Sequence, residues 1–431
     1  MMNPSKTKFF FIKTFGCTYN LADSLKIERI LSTYHYIKVD DINLSNIIII
    51  NTCAVKHATE TKILYYIQKQ RNQYPDKQFI IIGCLPQIGR KMKQKIQNLL
   101  LENDFIVKPL EINKIPYLLD NSLKTDSLIP KSAIIPSKLK HQNVGIIQIS
   151  EGCNNSCTYC CTTIARGKLI SFDSCSILDQ IKLQYLDGID HFYLTSQDLG
   201  NYNYNGKNLI HLLRDILNLQ GNFQIRLGMT NPDFLIKSIE EFLTIFQDHR
   251  IFRFLHIPIQ SGSNNILKLM GRKYKIEEVR QIIQKIKEFD KNFTFSTDII
   301  VGFPTEQEED FQETVDFIKE WQPFNLNISK YSVRPNTLAK KMNQIPSQEI
   351  KRRSTILHEI YKDYSHQLRK NWIGWEGTAI ISNFTSEKCN SLVRNAYNIP
   401  IFIEQQIEKK IIKIKIKKIK QNKLIGIYSK D

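Results

Sequence analysis

The sequence predicts an α/β protein in three parts: an N-terminal open parallel α/β domain over residues 7–125, a partial (βα)6 TIM-like barrel over 139–368, and a small all-β domain over 369–431. Three observations carry this expectation. Apolar strand-like runs alternate with amphipathic helical stretches over most of the chain. A polar, proline-punctuated stretch, PKSAIIPSKLKHQ (130–142), divides that alternation into two series and reads as a linker. From Trp372 onward short strand patterns follow one another without helices between them. At 431 residues, 42% hydrophobic and 24% charged, the chain is globular and longer than one hydrophobic core usually grows.

In the first series FFFIKTF (9–15) is strand-like and ends at Gly16-Cys17, and ADSLKIERIL (22–31) has helical periodicity. IIII (47–50) reads as a strand buried on both faces that ends at Asn51-Thr52-Cys53, and FIIIG (79–83) as another that ends at Cys84. If these strands are parallel members of one sheet, Cys17, Cys53 and Cys84 all lie just beyond carboxyl ends, the edge where open α/β folds place ligands. The three would then meet in space. The competing reading makes each cysteine a small buried hydrophobe.

In the second series the strand patterns are VGIIQIS (144–150), HFYLTSQD (191–198), FQIRLGM (223–229), FRFLHIPI (252–259), FTFSTDIIVGF (293–303) and FNLNISKYSV (324–333). Amphipathic segments such as IEEVRQIIQKIKEF (276–289) separate them, so the active site is expected at the strand carboxyl ends. A charged helix over 347–369 closes the series. In the tail, KKIIKIKIKKIK (409–420) alternates Ile with Lys, the pattern of a strand with one buried and one cationic face. It suits either polyanion binding or a lysine-protected edge strand.

The net charge of +18 and pI near 9.3 favour a polyanionic partner, although richness in Lys, Ile and Asn raises the charge by composition alone. The apolar patch near the N-terminus is too short for a signal sequence, and no segment approaches the roughly 20 apolar residues of a membrane span, so a soluble, cytoplasmic protein is expected. Nine cysteines, three of them within EGCNNSCTYC (151–160), do not resemble a secreted disulfide framework; metal or redox chemistry fits a reducing compartment.

Cys153, Cys157 and Cys160 form C-x3-C-x2-C at the end of the first barrel strand. Three thiolates at this spacing can ligate three irons of a 4Fe-4S cluster and leave the fourth iron open to a small molecule. Zinc is the alternative, but a structural zinc site takes four ligands, and no His or second C-x2-C pair stands nearby to complete one. Tyr159, directly before the last cysteine, offers an aromatic face on which an adenine could stack.

These residues are similar to the radical S-adenosylmethionine (SAM) superfamily. Over nearly the whole chain, GCTYNLADS, NTCAVKHATE, GCLPQ, EGCNNSCTYC, LHIPIQSGS (255–263), STDIIVGFPTE (296–306) and the small terminal β domain resemble the methylthiotransferase family, in the family's order. The resemblance implies that Cys17, Cys53 and Cys84 hold a second 4Fe-4S cluster, that the barrel is a radical SAM domain, and that the tail is an RNA-binding TRAM domain. It further implies SAM as cofactor, tRNA (the anticodon stem-loop) as partner, an electron donor such as a flavodoxin or ferredoxin-type reductant, no membrane association and a monomer.

By position in such a barrel, Gln197 and Asp198 would bind the SAM amino group, Arg226 its carboxylate, and Gln260, Ser261, Asp298 and Gly302 the rest of the molecule, with the glycine permitting close backbone approach. CTTIARGKL (161–169), LTSQDLGNY and RLGMTNP (226–232) look like the archaeal and eukaryotic branch that thiomethylates N6-threonylcarbamoyladenosine of tRNA. Isopentenyladenosine tRNA or a ribosomal-protein aspartate are the alternative substrates, and a non-enzymatic iron-sulfur RNA-binding protein is the alternative of another class. Asn203 and Asn336 stand where glycine is expected in this family; Cys161, which doubles the third motif cysteine, is read as a bystander, and Cys175 and Cys389, without partners at metal spacing, as structural.

Overall fold

The computed structural model describes residues 8–54, 57–123, 128–138, 143–385, 390–405, 407 and 411–428. Val55, Lys56, Cys389, Lys409, Lys410 and the end of the linker (139–142) lie outside the described residues.

The first series builds β1 (Phe9–Thr14), α1 (Thr18–Thr33), β2 (Ile37–Lys38), β3 (Ile47–Thr52), α2 (His57–Gln73), β4 (Gln78–Gly83), α3 (Arg90–Gln97), β5 (Phe105–Ile106) and α4 (Ile115–Leu119). The strands form one parallel sheet in the order β2-β1-β3-β4-β5. All six residues of β3 are buried because Ile48 and Ile50 pack into one helix layer and Ile47 and Ile49 into the other. That two-sided burial is why the sequence shows an unbroken apolar run rather than alternation. The order reverses between β1 and β3, and such a reversal opens a crevice at the carboxyl ends of the flanking strands.

The second series runs through β6 (Gly145–Gln148), β7 (Ser150–Glu151), α5 (Thr162–Arg166), β8 (Ile170–Ser171), α6 (Ser174–Leu186), β9 (His191–Thr195), β10 (Asn203–Tyr204), β11 (Lys207–Asn208) and α7 (Leu209–Leu217). It continues with β12 (Gln224–Leu227), α8 (Pro232–Ile245), β13 (Phe254–His256), α9 (Asn264–Leu269), α10 (Ile276–Phe289), β14 (Thr294–Val301), α11 (Glu308–Trp321) and β15 (Asn325–Lys330). Two three-stranded parallel sheets, β12-β9-β6 and β13-β14-β15, join through the bridges Ile225–Ile251 and Met229–His256. The result is an open barrel of six strands in sequence order, as expected. Phe192, Leu194, Ile225 and Leu227 face the outer helices, so by strand alternation Tyr193 and Arg226 face the lumen.

The sheet-and-helix domain lies against the open barrel's first strand. Ala22 and Leu25 of α1 pack on Val144 and Ile146, and Gln148 donates to Tyr19 O (3.2 Å) and Asp23 Oδ1 (2.7 Å). A second clamp follows β15, where Arg334 is ion-paired with buried Glu60, and Asn336 Nδ2 donates to Ile88 O (3.2 Å). Asn336 adopts φ 60°, the left-handed conformation for which glycine is the usual choice. Asn203 instead lies in β10, and the hairpin's left-handed positions fall at Asn205 and Gly206. The linker differs from a solvated connection: it is irregular, but Lys131 and Ile134 are each 4% exposed, because the chain is pulled into the seam between the two domains.

After α12 (Ser347–Lys370), strands β16 (Glu376–Thr385), β17 (Asn390–Asn395), β18 (Pro400–Ile403), β19 (Ile411–Lys420) and β20 (Lys423–Tyr428) close into a small barrel in the order β16-β17-β18-β20-β19. The Ile-Lys strand is therefore not an edge: β19 pairs with β16 and β20, with Ile412, Ile414 and Ile416 inside. Closure removes the edge that the lysines would otherwise have protected. This barrel docks at the amino ends of the large barrel's strands, where Arg253 N donates to Ala396 O (2.8 Å) and Thr294 Oγ1 to Tyr397 O (2.7 Å).

Candidate active site

The C-x3-C-x2-C loop leaves the carboxyl end of β6 and is tied down by backbone bonds: Cys153 N to Gly167 O (3.3 Å), Thr158 N to Met270 O (3.0 Å) and Cys160 N to Cys157 O (3.2 Å). Each of its sulfurs accepts an N–H. Asn155 N donates to Cys153 Sγ, Thr162 N to Cys160 Sγ and Arg272 Nη1 to Cys157 Sγ, all at 3.4 Å. Burial pushes the Cys153 thiol up to about 11 and also raises Cys160, so ligation requires the metal to displace both protons.

The second trio assembles at the crevice of the parallel sheet. Cys17 follows β1 and N-caps α1, Cys53 follows β3, and Cys84 follows β4. Two glycines shape the pocket. At Gly16 (φ +113°) a Cβ would stand 2.7 Å from Cys53 Cβ, and at Gly83 (φ +94°) 2.2 Å from Thr52 O, so neither position accepts a side chain. Burial is the main cause that pushes the Cys84 thiol up to about 11, and its neighbours Cys53 and Cys17 add to it.

Among the described residues no three His, Cys, Asp or Glu side chains converge closely enough for a single metal ion. A tetrahedral zinc with Zn–S near 2.3 Å needs its thiolates within about 3.8 Å of one another. Three thiols at each crevice fit the corners of a cluster better than one ion, since neither trio forms a single-ion site among the described residues. A cluster held by either trio would have three thiolate ligands from these cysteines, and its fourth iron would be open to an exogenous ligand.

One short helix connects the two trios. Cys160 ends the motif; Cys161 follows it into the core beside Cys53 and Ala54, with its thiol on Ala54 O (3.7 Å); Arg166 ends α5 with Nε on Cys84 Sγ (3.2 Å). Cys161 is thus a buried thiol at the seam, and burial pushes it up to about 12.

The remaining residues expected at the site take distinct places. Gln197 Oε1 accepts from Gly152 N (2.7 Å), fixing the turn before Cys153. Asp198 is buried, and its oxygens accept from Gly200 N, Asn231 N and the side chains of Asn155, Asn201 and Asn231; it joins the motif loop to the start of α8. Burial raises its carboxyl above the usual range. Arg226 lies in the lumen between Tyr193 and Phe254, 4.9 and 5.0 Å from their ring centroids, with no hydrogen bond or ion pair among the described residues. Asp298 accepts from Asn327 Nδ2 (2.9 Å) and pairs with His256 Nε2 (2.8 Å) at the lumen's upper rim.

Gln260 has φ 76° and bonds through its backbone to Asp298 O (2.8 Å). Ser261 is fully buried against Thr314 Oγ1 (3.3 Å) and Ser263 N (3.1 Å). At Gly302 (φ +73°) the space a Cβ would take is held by Ile350 Cγ1 at 2.4 Å, so helix packing by itself requires glycine there. Tyr159 packs edge-on to Phe303 with centroids 6.3 Å apart. Sequence reasoning missed Arg272, Glu151 and Arg166, because single charged residues carry no spacing signal; only the fold brings them to the cysteines.

The comparisons agree with this architecture. The pattern of the Radical SAM superfamily matches residues 147–318, and that described as uncharacterized protein family UPF0004 matches residues 9–107. A probable threonylcarbamoyladenosine tRNA methylthiotransferase of Pyrococcus horikoshii is 35% identical over 374 residues, 84% of this chain and 86% of that protein. One of Archaeoglobus fulgidus is 30% identical over 426 residues, 96% of this chain and 97% of that protein, and the Homo sapiens threonylcarbamoyladenosine tRNA methylthiotransferase is 31% identical over 82% of this chain and 62% of its own. Among solved structures, the radical SAM methyltransferase TsrM from Kitasatospora setae superposes with a TM-score of 0.56 over 78% of this chain and 77% of that one, at 12% identity, a likeness of fold. No helix among the described residues is long and apolar enough to cross a membrane. With both cysteine trios in place, the chain belongs to the radical SAM methylthiotransferase family, with relatives named for threonylcarbamoyladenosine tRNA along nearly its full length.

Proposed function

We propose that this protein methylthiolates carbon 2 of N6-threonylcarbamoyladenosine at position 37 of tRNA, giving 2-methylthio-N6-threonylcarbamoyladenosine. The observation that carries the reading is the junction of two cysteine trios through one five-residue helix, in a chain whose relatives bear that name. Cys153, Cys157 and Cys160 would hold a cluster that supplies the electron for reductive cleavage of SAM, and Cys17, Cys53 and Cys84 would hold one that supplies a site for the sulfur to be transferred.

The chain's own groups bind and orient. Tyr159, Gln260, Asp298 and the lumen wall would line SAM; Gln197, Asp198, Ser261 and Gly302 keep the loops that carry them in place. Arg226 would meet a carboxylate, that of SAM, since its half-buried guanidinium has no hydrogen bond or ion pair among the described residues. The lysine-bearing face of β19 would neutralise tRNA phosphates beside the anticodon stem-loop, a contact that weakens with salt. A flavodoxin- or ferredoxin-type protein would deliver the electron to a cytoplasmic monomer.

The test is mass spectrometry of nucleosides from tRNA incubated anaerobically with the reconstituted protein, SAM, sulfide and a reductant. A methylthio-threonylcarbamoyladenosine product that disappears with Cys157→Ala is the expected result. Cleavage of SAM with unmodified tRNA would reject the substrate and keep the radical site; untouched SAM in cluster-loaded protein would reject the enzyme.

A further inference from the structure

Arg166, six residues beyond Cys160, reaches from the barrel to the second cysteine trio, and its surroundings leave it one position. Nε donates to Cys84 Sγ (3.2 Å), Nη1 to Glu151 Oε1 (2.8 Å), and Nη2 to Asn20 Oδ1 (2.7 Å) and Asp23 Oδ2 (2.9 Å), while the guanidinium lies 4.5 Å from the Tyr19 ring centroid. Lys131 takes the other oxygen of each carboxylate, Asp23 Oδ1 (2.6 Å) and Glu151 Oε2 (2.7 Å), and donates to Pro109 O (2.9 Å). All four charged residues are at most 5% exposed. Two cations and two anions balance, which is what makes burial of any one of them tolerable, and fixed hydrogen bonds from both sides hold the guanidinium still.

The contacts also divide by domain. Asn20, Asp23 and Cys84 belong to the sheet-and-helix domain, Glu151 and Arg166 to the barrel, and Lys131 to the linker between them. The barrel thus reaches across the seam to place an N–H and a positive charge on a cysteine of the other domain. Hydrogen bonds to cluster sulfurs and nearby positive charge stabilise the reduced, more negative cluster and raise its potential.

We propose that Arg166 is a positioning residue of the auxiliary cluster: its Nε–H bond to Cys84 sets that cluster's reduction potential, and its anchorage on Glu151 and Asp23 fixes Cys84 relative to the radical SAM loop. This rests on the reading that Cys17, Cys53 and Cys84 hold a cluster. A lysine at 166 would keep the charge but could not span Cys84, Glu151 and Asp23 together.

The experiment is an EPR-monitored redox titration of the full chain carrying Cys153→Ala, Cys157→Ala and Cys160→Ala, so that only the auxiliary cluster is present, with and without Arg166→Lys. Lys131→Met is the control, since it breaks the same charge network without touching Cys84. The expected result is a lower midpoint potential and altered g-values in Arg166→Lys, with the wild-type midpoint kept in Lys131→Met. An unchanged midpoint in Arg166→Lys at full iron content overturns the proposal. An equal shift, or equal loss of iron, in both variants also overturns it, by assigning the effect to the fold. Iron lost from Arg166→Lys alone supports it. If the parent variant binds no cluster, the cluster reading itself fails; tRNA plays no part in the assay, so an error in the substrate leaves the result untouched.

Discussion

The two cysteine trios make the same kind of site by opposite routes. Cys153, Cys157 and Cys160 lie within eight residues on one loop, and local turns aim them: Cys160 N bonds to Cys157 O, and backbone N–H groups point at two of the sulfurs. Cys17, Cys53 and Cys84 span nearly seventy residues and meet only because three parallel strands end at one crevice. A loop-built site depends on the order of residues along the chain, whereas a sheet-built site depends on strand topology, although each also needs a left-handed glycine beside a cysteine, Gly152 in one and Gly16 in the other. The difference assigns different failure modes to the two.

The largest expected effect separates their chemistry. Cys157→Ala should abolish both SAM cleavage and nucleoside product, each by at least about a thousandfold. Cys53→Ala should abolish the product while SAM cleavage, followed as 5′-deoxyadenosine by chromatography, stays within about threefold of wild type. Loss of cleavage in Cys53→Ala would mean that the two sites are not separable.

Next in size is the backbone on which the dispersed trio depends. Gly83→Ala would drive a Cβ against Thr52 O at a φ of +94°, and should destabilise the protein by about 2–4 kcal/mol in denaturant unfolding. Iron should be lost from the auxiliary trio first. The loop-built site has its own counterpart in the turn before Cys153: at Gly152 (φ +78°) a Cβ would stand 2.2 Å from Lys168 O, so Gly152→Ala should release iron from that trio first.

A smaller effect concerns the lumen between the trios and the small barrel. Arg226→Met should raise the KM for SAM about tenfold in the cleavage assay, because a buried carboxylate would lose its cation. An unchanged KM would remove Arg226 from SAM recognition.

The last effect lies in the seam and is read as a slope with pH. Lys26 is fully buried with Nζ on Lys131 O (2.9 Å), and burial lowers its ammonium from 10.5 to about 7, Lys131 adding to the effect. Between pH 7 and 10.5 the unfolded chain therefore holds a proton that the folded one has released, so stability rises with pH there, by up to about 1.4 kcal/mol per unit. Below pH 7 the cost of charging Lys26 is fully present. Lys26→Met should flatten that slope in urea unfolding at pH 7.5 to 9.5, and an identical slope would place the proton elsewhere.

Much of the fold was legible in the chain because periodicity reports burial. The IIII run of β3, the six βα repeats and the Ile-Lys alternation of β19 each appear as the matching elements. The linker was legible as irregular but not as pinned: nothing local marks Lys131, whose partners Asp23 and Glu151 stand over a hundred residues and twenty residues away. Asp198 was visible as a polar strand-end residue, yet its five N–H donors come from three separate segments.

The sequence by itself determined the three-part α/β architecture, the loop-built cysteine motif and the chemistry that open-iron clusters allow, because strand period, helix period and ligand spacing are all short-range properties. Only the tertiary structure decided that the dispersed cysteines share one crevice, that β19 is closed on both sides, and that Arg166 reaches from the radical SAM loop to Cys84. Those outcomes depend on strand order and on the mutual neutralisation of buried charges, and such partners are selected by proximity in space rather than along the chain.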